Sequence, residues 1–148
     1  MIRPSPDTTL LDMARVLAKR STCSRASVGA VIALNGRILS TGFNGVPAGM
    51  THCEHVANDE SPCDAAVHAE ANAVAFAARH GVALNGSALF TTLSPCLKCA
   101  QLIINAGIVR VVIGKVYRDH SGPHILARLG IHVTSASGGP FSRLINQH

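Results

Sequence analysis

Two short segments carry the residue types from which a metal-centred hydrolytic site is built, His68-Ala69-Glu70 and Pro95-Cys96-Leu97-Lys98-Cys99. Cys96 and Cys99 are three apart, so on a helix both sulfurs share one face of the first turn. A helix N-terminus also favours thiolate over thiol. One histidine and two thiolates leave the fourth position of a zinc ion open for water, as a catalytic site requires. Two thiolates formally neutralise the dication, yet the metal still lowers the pKa of its water enough to supply hydroxide near neutrality.

Glu70 is the candidate proton carrier. It stands two residues from His68, and such pairs point to nearly opposite sides of an ideal helix. The spacing works if the helix begins close to His68, although Ser61-Pro62-Cys63-Asp64 resembles an earlier helix start. The histidine then sits at the end of a loop while Glu70 swings beside the water, within reach of a substrate nitrogen as well. Each motif alone is weak: Cys-x-x-Cys also suits a redox pair or half of a structural zinc site. Together, in this order and each at a helix start, they form the signature of zinc nucleobase deaminases, in which the Glu moves protons and does not bind the metal.

The rest of the chain must position these groups. Residues 9–20 carry apolar positions at helical spacing and predict a first helix. Ser27–Leu34 and Arg37–Thr41 flank Asn35-Gly36, the strongest short hairpin signal. Residues 42–63 are rich in Gly, Pro, Asn, His and Cys and predict a long irregular loop, of the kind that is usually functional or held by something. Then a helix ends near Gly81, a strand runs Ala88–Thr92, and a helix opens with Ser94 as N-cap and Pro95 in its first position, ending near Gly107. A strand at Val109–Ile113, a helix ending near Gly130 and a short strand at Ile131–Thr134 complete the order. Alternating helices and strands imply right-handed parallel crossovers. With the hairpin they predict a three-layer α/β/α sandwich around a mixed five-stranded sheet. Residues 1–148 read as one domain, with a tail from about 135 expected to be mobile or an arm onto a neighbouring subunit.

Composition bounds the function. In 148 residues, 47% are hydrophobic and 14% charged, as expected for a packed core. No apolar run approaches the roughly 18–20 residues of a membrane span, and Met1–Leu10 lacks the apolar core of a signal peptide. The chain reads as soluble and cytoplasmic. The net charge of +5 comes without a Lys/Arg run and with only 3% aromatics, so no nucleic-acid partner is expected. Five cysteines, an odd count, argue against a closed disulfide framework and for metal binding.

Over nearly its whole length the sequence resembles the deoxycytidylate (dCMP) deaminases. The resemblance lies in CSRASVGAVI (23–32), STGFNGVPAG (40–49), VHAEANA (67–73), TTLSPCLKCAQLIINAGI (91–108) and YRD (117–119). It implies hydrolysis of dCMP to dUMP and ammonia, feeding thymidylate synthesis. It makes His68, Cys96 and Cys99 ligands of a catalytic zinc and Glu70 the proton shuttle. Asn44 is implied to bond the sugar or nearby phosphate, though a turn Asn is the alternative. Arg25, Tyr117 and Arg118 are candidates for the 5′-phosphate, with surface salt bridging as the alternative for the arginines. Ala69 and Ser94 complete the implied substrate contacts.

The resemblance also implies a second, structural zinc on Cys23, Cys53 and Cys63, tying the long loop to the first strand. His52 and His55 both flank Cys53; His52 is favoured as fourth ligand. Family members are often hexamers activated by dCTP and inhibited by dTTP, a triphosphate effector bringing Mg2+. The effector loop implied here contains Gly42, Phe43 and Gly45, and Phe43 stands where Tyr is usual, which puts the regulation in doubt. Two other readings are weighed. A tRNA adenosine deaminase shares the core but has different residues around the Pro-Cys motif. A zinc-stabilised or competence-associated binding module has no need of Glu70.

Overall fold

The Asn35-Gly36 pair turns the chain as its composition predicts: both residues take positive φ, 50° and 74°. This turn joins β1 (Gly29–Leu34) to β2 (Arg37–Phe43) in antiparallel register. The computed structural model describes residues 1–59 and 61–141. Before the hairpin lies α1 (Pro6–Ala18), which starts earlier than its apolar periodicity suggests. Ser5 caps it by accepting the Thr8 N–H, and Pro6 occupies the first turn, where its missing donor costs nothing. After the long loop come α2 (Ala69–Arg79), β3 (Ala88–Leu93), α3 (Leu97–Asn105), β4 (Arg110–Lys115), α4 (Ser121–Arg128) and β5 (His132–Ser135).

The sheet order is β2-β1-β3-β4-β5. β1 is antiparallel to both neighbours, whereas β3, β4 and β5 run parallel, so the sheet is mixed and five-stranded as expected. Both crossovers advance in one direction across the sheet, and right-handed connections then place α3 and α4 on the same face. There they join α2 over a core that includes Ala30, Ile32, Leu89, Val111 and Ile113. The opposite face is covered by α1, whose Leu10, Leu11 and Ala14 meet Val31, Ala33, Phe90 and Val112. The three layers are therefore unequal, with the candidate chemistry on the three-helix side.

α2 lies unusually close to the sheet. Its inward residues are Ala69, Ala73 and Ala77, and it faces Gly42 of β2. A Cβ on Gly42 would stand 2.2 Å from the Ala69 carbonyl oxygen, and Ser40 Oγ donates to the Ala73 carbonyl at 2.7 Å. This small-on-small contact fixes the depth of the first turn of α2, and so of Glu70.

Two expectations need correction. α3 begins at Leu97 with Cys96 as N-cap, not with Ser94 as N-cap. Ser94 Oγ instead accepts the Tyr117 N–H at 2.8 Å, and Cys96 Sγ accepts the Cys99 N–H. The tail departs too: the chain turns after β5, Pro140 bridges to Thr134, and Phe141 is buried in the core, edge-on to His120 and His124. Residues 142–148, where the rest of the tail falls, lie outside the described residues. Among the described residues no helix is long and apolar enough to cross a membrane.

Candidate active site

His68 is the N-cap of α2, in extended conformation (φ −67°, ψ 153°), so the helix begins where the His68–Glu70 spacing requires. A residue outside the helix is free of the 100° rotation per position, and its imidazole can meet the start of α3 while Glu70 turns inward. His68 Nδ1 lies 3.5 Å from both Cys96 Sγ and Cys99 Sγ. Ordinary zinc–nitrogen and zinc–sulfur bonds at a tetrahedral angle separate the two atoms by about 3.5–3.6 Å. The spacing thus fits a zinc ion held by three protein ligands.

The electrostatics fit it as well. A hydrogen bond from Cys99, reinforced by His68, holds the Cys96 thiol down to about 4. The same contact and burial push the deeper Cys99 thiol up, because a second thiolate there would repel the first. The neighbouring Cys96 raises His68 in turn. This cluster accommodates one negative sulfur but not two, and a dication at its centre removes the conflict.

Glu70 is 4% exposed and reaches the same spot from below. Burial pushes its carboxyl above the usual carboxylate range. Its Oε1 lies 3.2 Å from the Thr91 hydroxyl. Above it opens a cavity of about 500 Å³, whose lining includes His68, Ala69, Glu70, Ser94 and Cys96.

The sequence candidates divide on contact with this cavity. Arg25, Asn44, Ala69, Ser94 and Tyr117 line it. Asn44 is also a backbone clamp, its Nδ2 donating to the Ala26 carbonyl and its Oδ1 accepting the Val28 N–H. Arg25 donates to the Ser61 carbonyl. Arg118 is not among the lining residues: Tyr117 takes the inward place, and the Arg118 guanidinium lies over the Tyr117 ring, 5.6 Å from its centroid. Gly42, Phe43 and Gly45 do not line this cavity either. They line a second one of about 570 Å³, between β2, α2 and the following loop, together with His52. Successive residues of extended chain face opposite sides, so Asn44 looks into one cavity while Phe43 and Gly45 look into the other.

Cys23, Cys53 and Cys63 also come together, and their fourth companion is His55, which corrects His52. The four donor atoms lie within 4.8 Å of one another, and Cys23 Sγ is 3.5 Å from His55 Nε2. The His55 N–H donates to Ser24 Oγ, which turns that residue toward the cysteines while His52 faces the second cavity. Against the desolvation of burial, the N–H groups of Arg25 and Ala26 bring the Cys23 thiol below its ordinary range. Three sulfurs and an imidazole form a closed donor set of the structural zinc type.

Residues 4–115 match the family described as the cytidine and deoxycytidylate deaminase zinc-binding region. The chain belongs to this family. Both motif segments, and the loop that separates the two cavities, fall inside the matched span. Among the relatives, the deoxycytidylate deaminase of Enterobacteria phage T2 is 33% identical over 84% of this chain and 89% of its own length. That of Saccharomyces cerevisiae is 34% identical over 93% of this chain and 46% of its own. The crystal structure of dCMP deaminase from the cyanophage S-TIM5 in complex with dCMP and dUMP has a TM-score of 0.83 and 34% identity, covering 91% of this chain and 99% of that one.

The structure adds residues to this family site that motif reading passed over. Asp64 and Asp119 line the cavity. Asn72 Nδ2 donates to the Phe43 carbonyl at 2.8 Å and ties the loop to α2. Thr91 touches Glu70. The signal for Thr91 is its place at an inward-facing, period-two position of β3, between the apolar Leu89 and Leu93.

Proposed function

We propose that the protein is a cytoplasmic dCMP deaminase that hydrolyses dCMP to dUMP and ammonia as a single catalytic domain. The observation that carries this reading is the meeting of one imidazole, two thiols and a buried carboxyl at the floor of a nucleotide-sized cavity. The phage relative that binds dCMP and dUMP supports the choice of base and phosphate. His68, Cys96 and Cys99 would hold a catalytic zinc, which supplies the Lewis acidity that makes a water nucleophilic near neutral pH.

Glu70 takes one proton from the attacking water and passes it to N3 of the pyrimidine, then carries the second to the departing amino group. The water oxygen ends on C4 of the pyrimidine and ammonia leaves. A carboxyl raised by burial suits both halves of this task, since it accepts and returns a proton at similar cost. The backbone of Ala69 and the side chains of Asn44 and Ser94 orient the base and sugar, while Arg25 and Tyr117 serve the phosphate end. Asn44 keeps one Nδ2 hydrogen for this after its bond to Ala26. Cys23, Cys53, Cys63 and His55 would hold a structural zinc, and a reducing cytoplasm keeps these sulfurs available as ligands.

For regulation, the second cavity is the proposed place of a dCTP or dTTP effector, with Gly42, Phe43 and Gly45 in its wall, in a hexameric assembly. Its support is the position of Asn44, which reaches the first cavity from the same loop.

The test is steady-state kinetics on dCMP, CMP, deoxycytidine, dCTP and a tRNA anticodon stem-loop, the nucleotides each with and without dCTP or dTTP as effector. dCMP should be the best substrate, and Glu70→Ala should lose several orders of magnitude in kcat while keeping its zinc. Hydrolysis confined to RNA would refute the proposal. Free deoxycytidine as best substrate would remove the phosphate role of Arg25, and a flat response to both triphosphates would remove the effector.

A further inference from the structure

Thr91 sits on β3 near the centre of the sheet, on the face covered by α2 and α3. Its neighbours across the strands are Ala30 on β1 and Ile113 on β4, both core residues of that face. It is fully buried. A hydroxyl in such a row is costly unless it is bonded, and valine would fill the same space without that demand. Packing therefore does not account for the threonine.

Its contacts do. Thr91 Oγ1 lies 3.2 Å from Glu70 Oε1 and 2.8 Å from the Leu93 carbonyl oxygen. Glu70 and Leu93 both line the catalytic cavity. The single hydroxyl proton serves either acceptor in turn, so this side chain can donate to an ionised carboxyl or accept from a protonated one. Because β3 is paired on both sides, the hydroxyl is also a fixed point against which a flexible Glu side chain is held.

We infer that Thr91 is a positioning residue for the reaction: its hydroxyl pins one edge of the Glu70 carboxyl, so that the other oxygen meets water and substrate. This rests on the reading of Glu70 as the proton carrier. Thr91 touches no substrate; it acts through Glu70 alone.

The experiment compares Thr91→Val, Thr91→Ser and Glu70→Gln in the full-length, zinc-loaded protein, reading kcat, KM for dCMP, zinc content, dUMP affinity by calorimetry and thermal stability. The valine variant should keep its fold, zinc and dUMP affinity. Its KM should stay near wild type while kcat falls by about tenfold to a hundredfold, the usual effect of losing a partner that orients an active-site group. Thr91→Ser should recover most of the loss. A valine variant with wild-type kcat would overturn the inference, and so would a serine variant as impaired as valine, since methyl packing would then be the cause. If valine fails to fold, Thr91→Ser against Thr91→Ala makes the same comparison. Near wild-type turnover by Glu70→Gln would instead remove the proton-carrier reading, whereas an inactive Glu70→Gln beside a fully active Thr91→Val would remove only the role of Thr91.

Discussion

Gly122 offers a sharp test of how the fold holds the proposed metal ligands. It lies in the first turn of α4 and is buried. A Cβ at this position would stand 2.0 Å from the Pro95 carbonyl oxygen and 2.9 Å from the carbonyl carbon and oxygen of Cys96, whereas real Cβ atoms essentially never approach within 3.0 Å. Gly122→Ala must therefore move either α4 or the Pro95–Cys96 peptide by about 1 Å, and neither contact is the yielding end of a side chain. Two terms oppose each other. Replacing glycine by alanine in a helix gains up to about 1 kcal/mol, while overpacking a tight contact costs about 1–3 kcal/mol and sometimes more. Because the contact is backbone against backbone, the cost belongs at the upper end, and a net loss of about 1–2 kcal/mol is expected.

The displaced peptide carries Cys96, so the loss should not be confined to stability. A misplacement of about 1 Å in a reacting constellation costs up to about a hundredfold in rate. Denaturant unfolding, zinc titration against a chromophoric chelator and kcat/KM on dCMP should all fall together in Gly122→Ala. Gly130→Ala is the control: its φ is +82°, but no atom lies within 4 Å of its would-be Cβ. That variant should lose about 1 kcal/mol through backbone strain and leave zinc affinity unchanged. A Gly122→Ala protein that unfolds like wild type and holds zinc as tightly would refute the tight contact between α4 and the ligand peptide. Equal loss of zinc in both variants would refute its specificity.

Two further outcomes separate neighbouring alternatives. Cys53→Ser and His55→Ala should each lower zinc from two equivalents per chain to one and reduce thermal stability, whereas His52→Ala should keep both metals; loss of metal in His52→Ala alone would reverse the assignment. The Arg110 guanidinium beside Asp7 holds that carboxyl below its ordinary range, so the pair's contribution is fully present above about pH 4 and is lost as pH falls through the lowered value. The gap in stability between wild type and Asp7→Asn should therefore close in acid; with side chains 33% and 42% exposed it should not exceed about 1 kcal/mol even at neutral pH. A gap that persists unchanged to pH 2 in urea denaturation would count against it.

What could be read from the sequence, and what could not, follows the range of the forces involved. The Asn35-Gly36 turn and the glycine stops depend on local backbone preferences and fall where expected. The start of α2 after His68 follows instead from the spacing to Glu70, against the local helix signal at Ser61-Pro62. The start of α3 depends on a competition. Ser94 has the right chemistry for an N-cap, but the Tyr117 N–H from beyond β4 takes its hydroxyl, and Cys96 caps instead. Nothing near Ser94 in sequence announces that rival. The same holds for His52 and His55, which stand on either side of Cys53 and both remain candidates until Ser24, on another loop, takes the His55 N–H. In the tail, glycine and proline suggest looseness, yet one aromatic residue, Phe141, finds a buried place against His120 and His124 and anchors the segment.

The segment from Gly42 to Gly45, where β2 passes into the long loop, brings these ranges together. Asn44 faces one cavity, Phe43 and Gly45 face the other, and the size of Gly42 is set by α2. Gly42 is small because α2 must approach within contact of β2, and that approach sets the depth at which Glu70 meets Thr91. Asn44 fixes the backbone of Ala26 and Val28 on the wall of the first cavity, while Phe43 and Gly45 shape the second. A ligand filling the second cavity would therefore press on a segment that also holds the wall of the first, with Asn72 linking the Phe43 carbonyl to the first turn of α2. The two cavities have no lining residue in common, yet both draw on Gly42–Gly45 and on the first turn of α2, so any coupling between them would need only this short path.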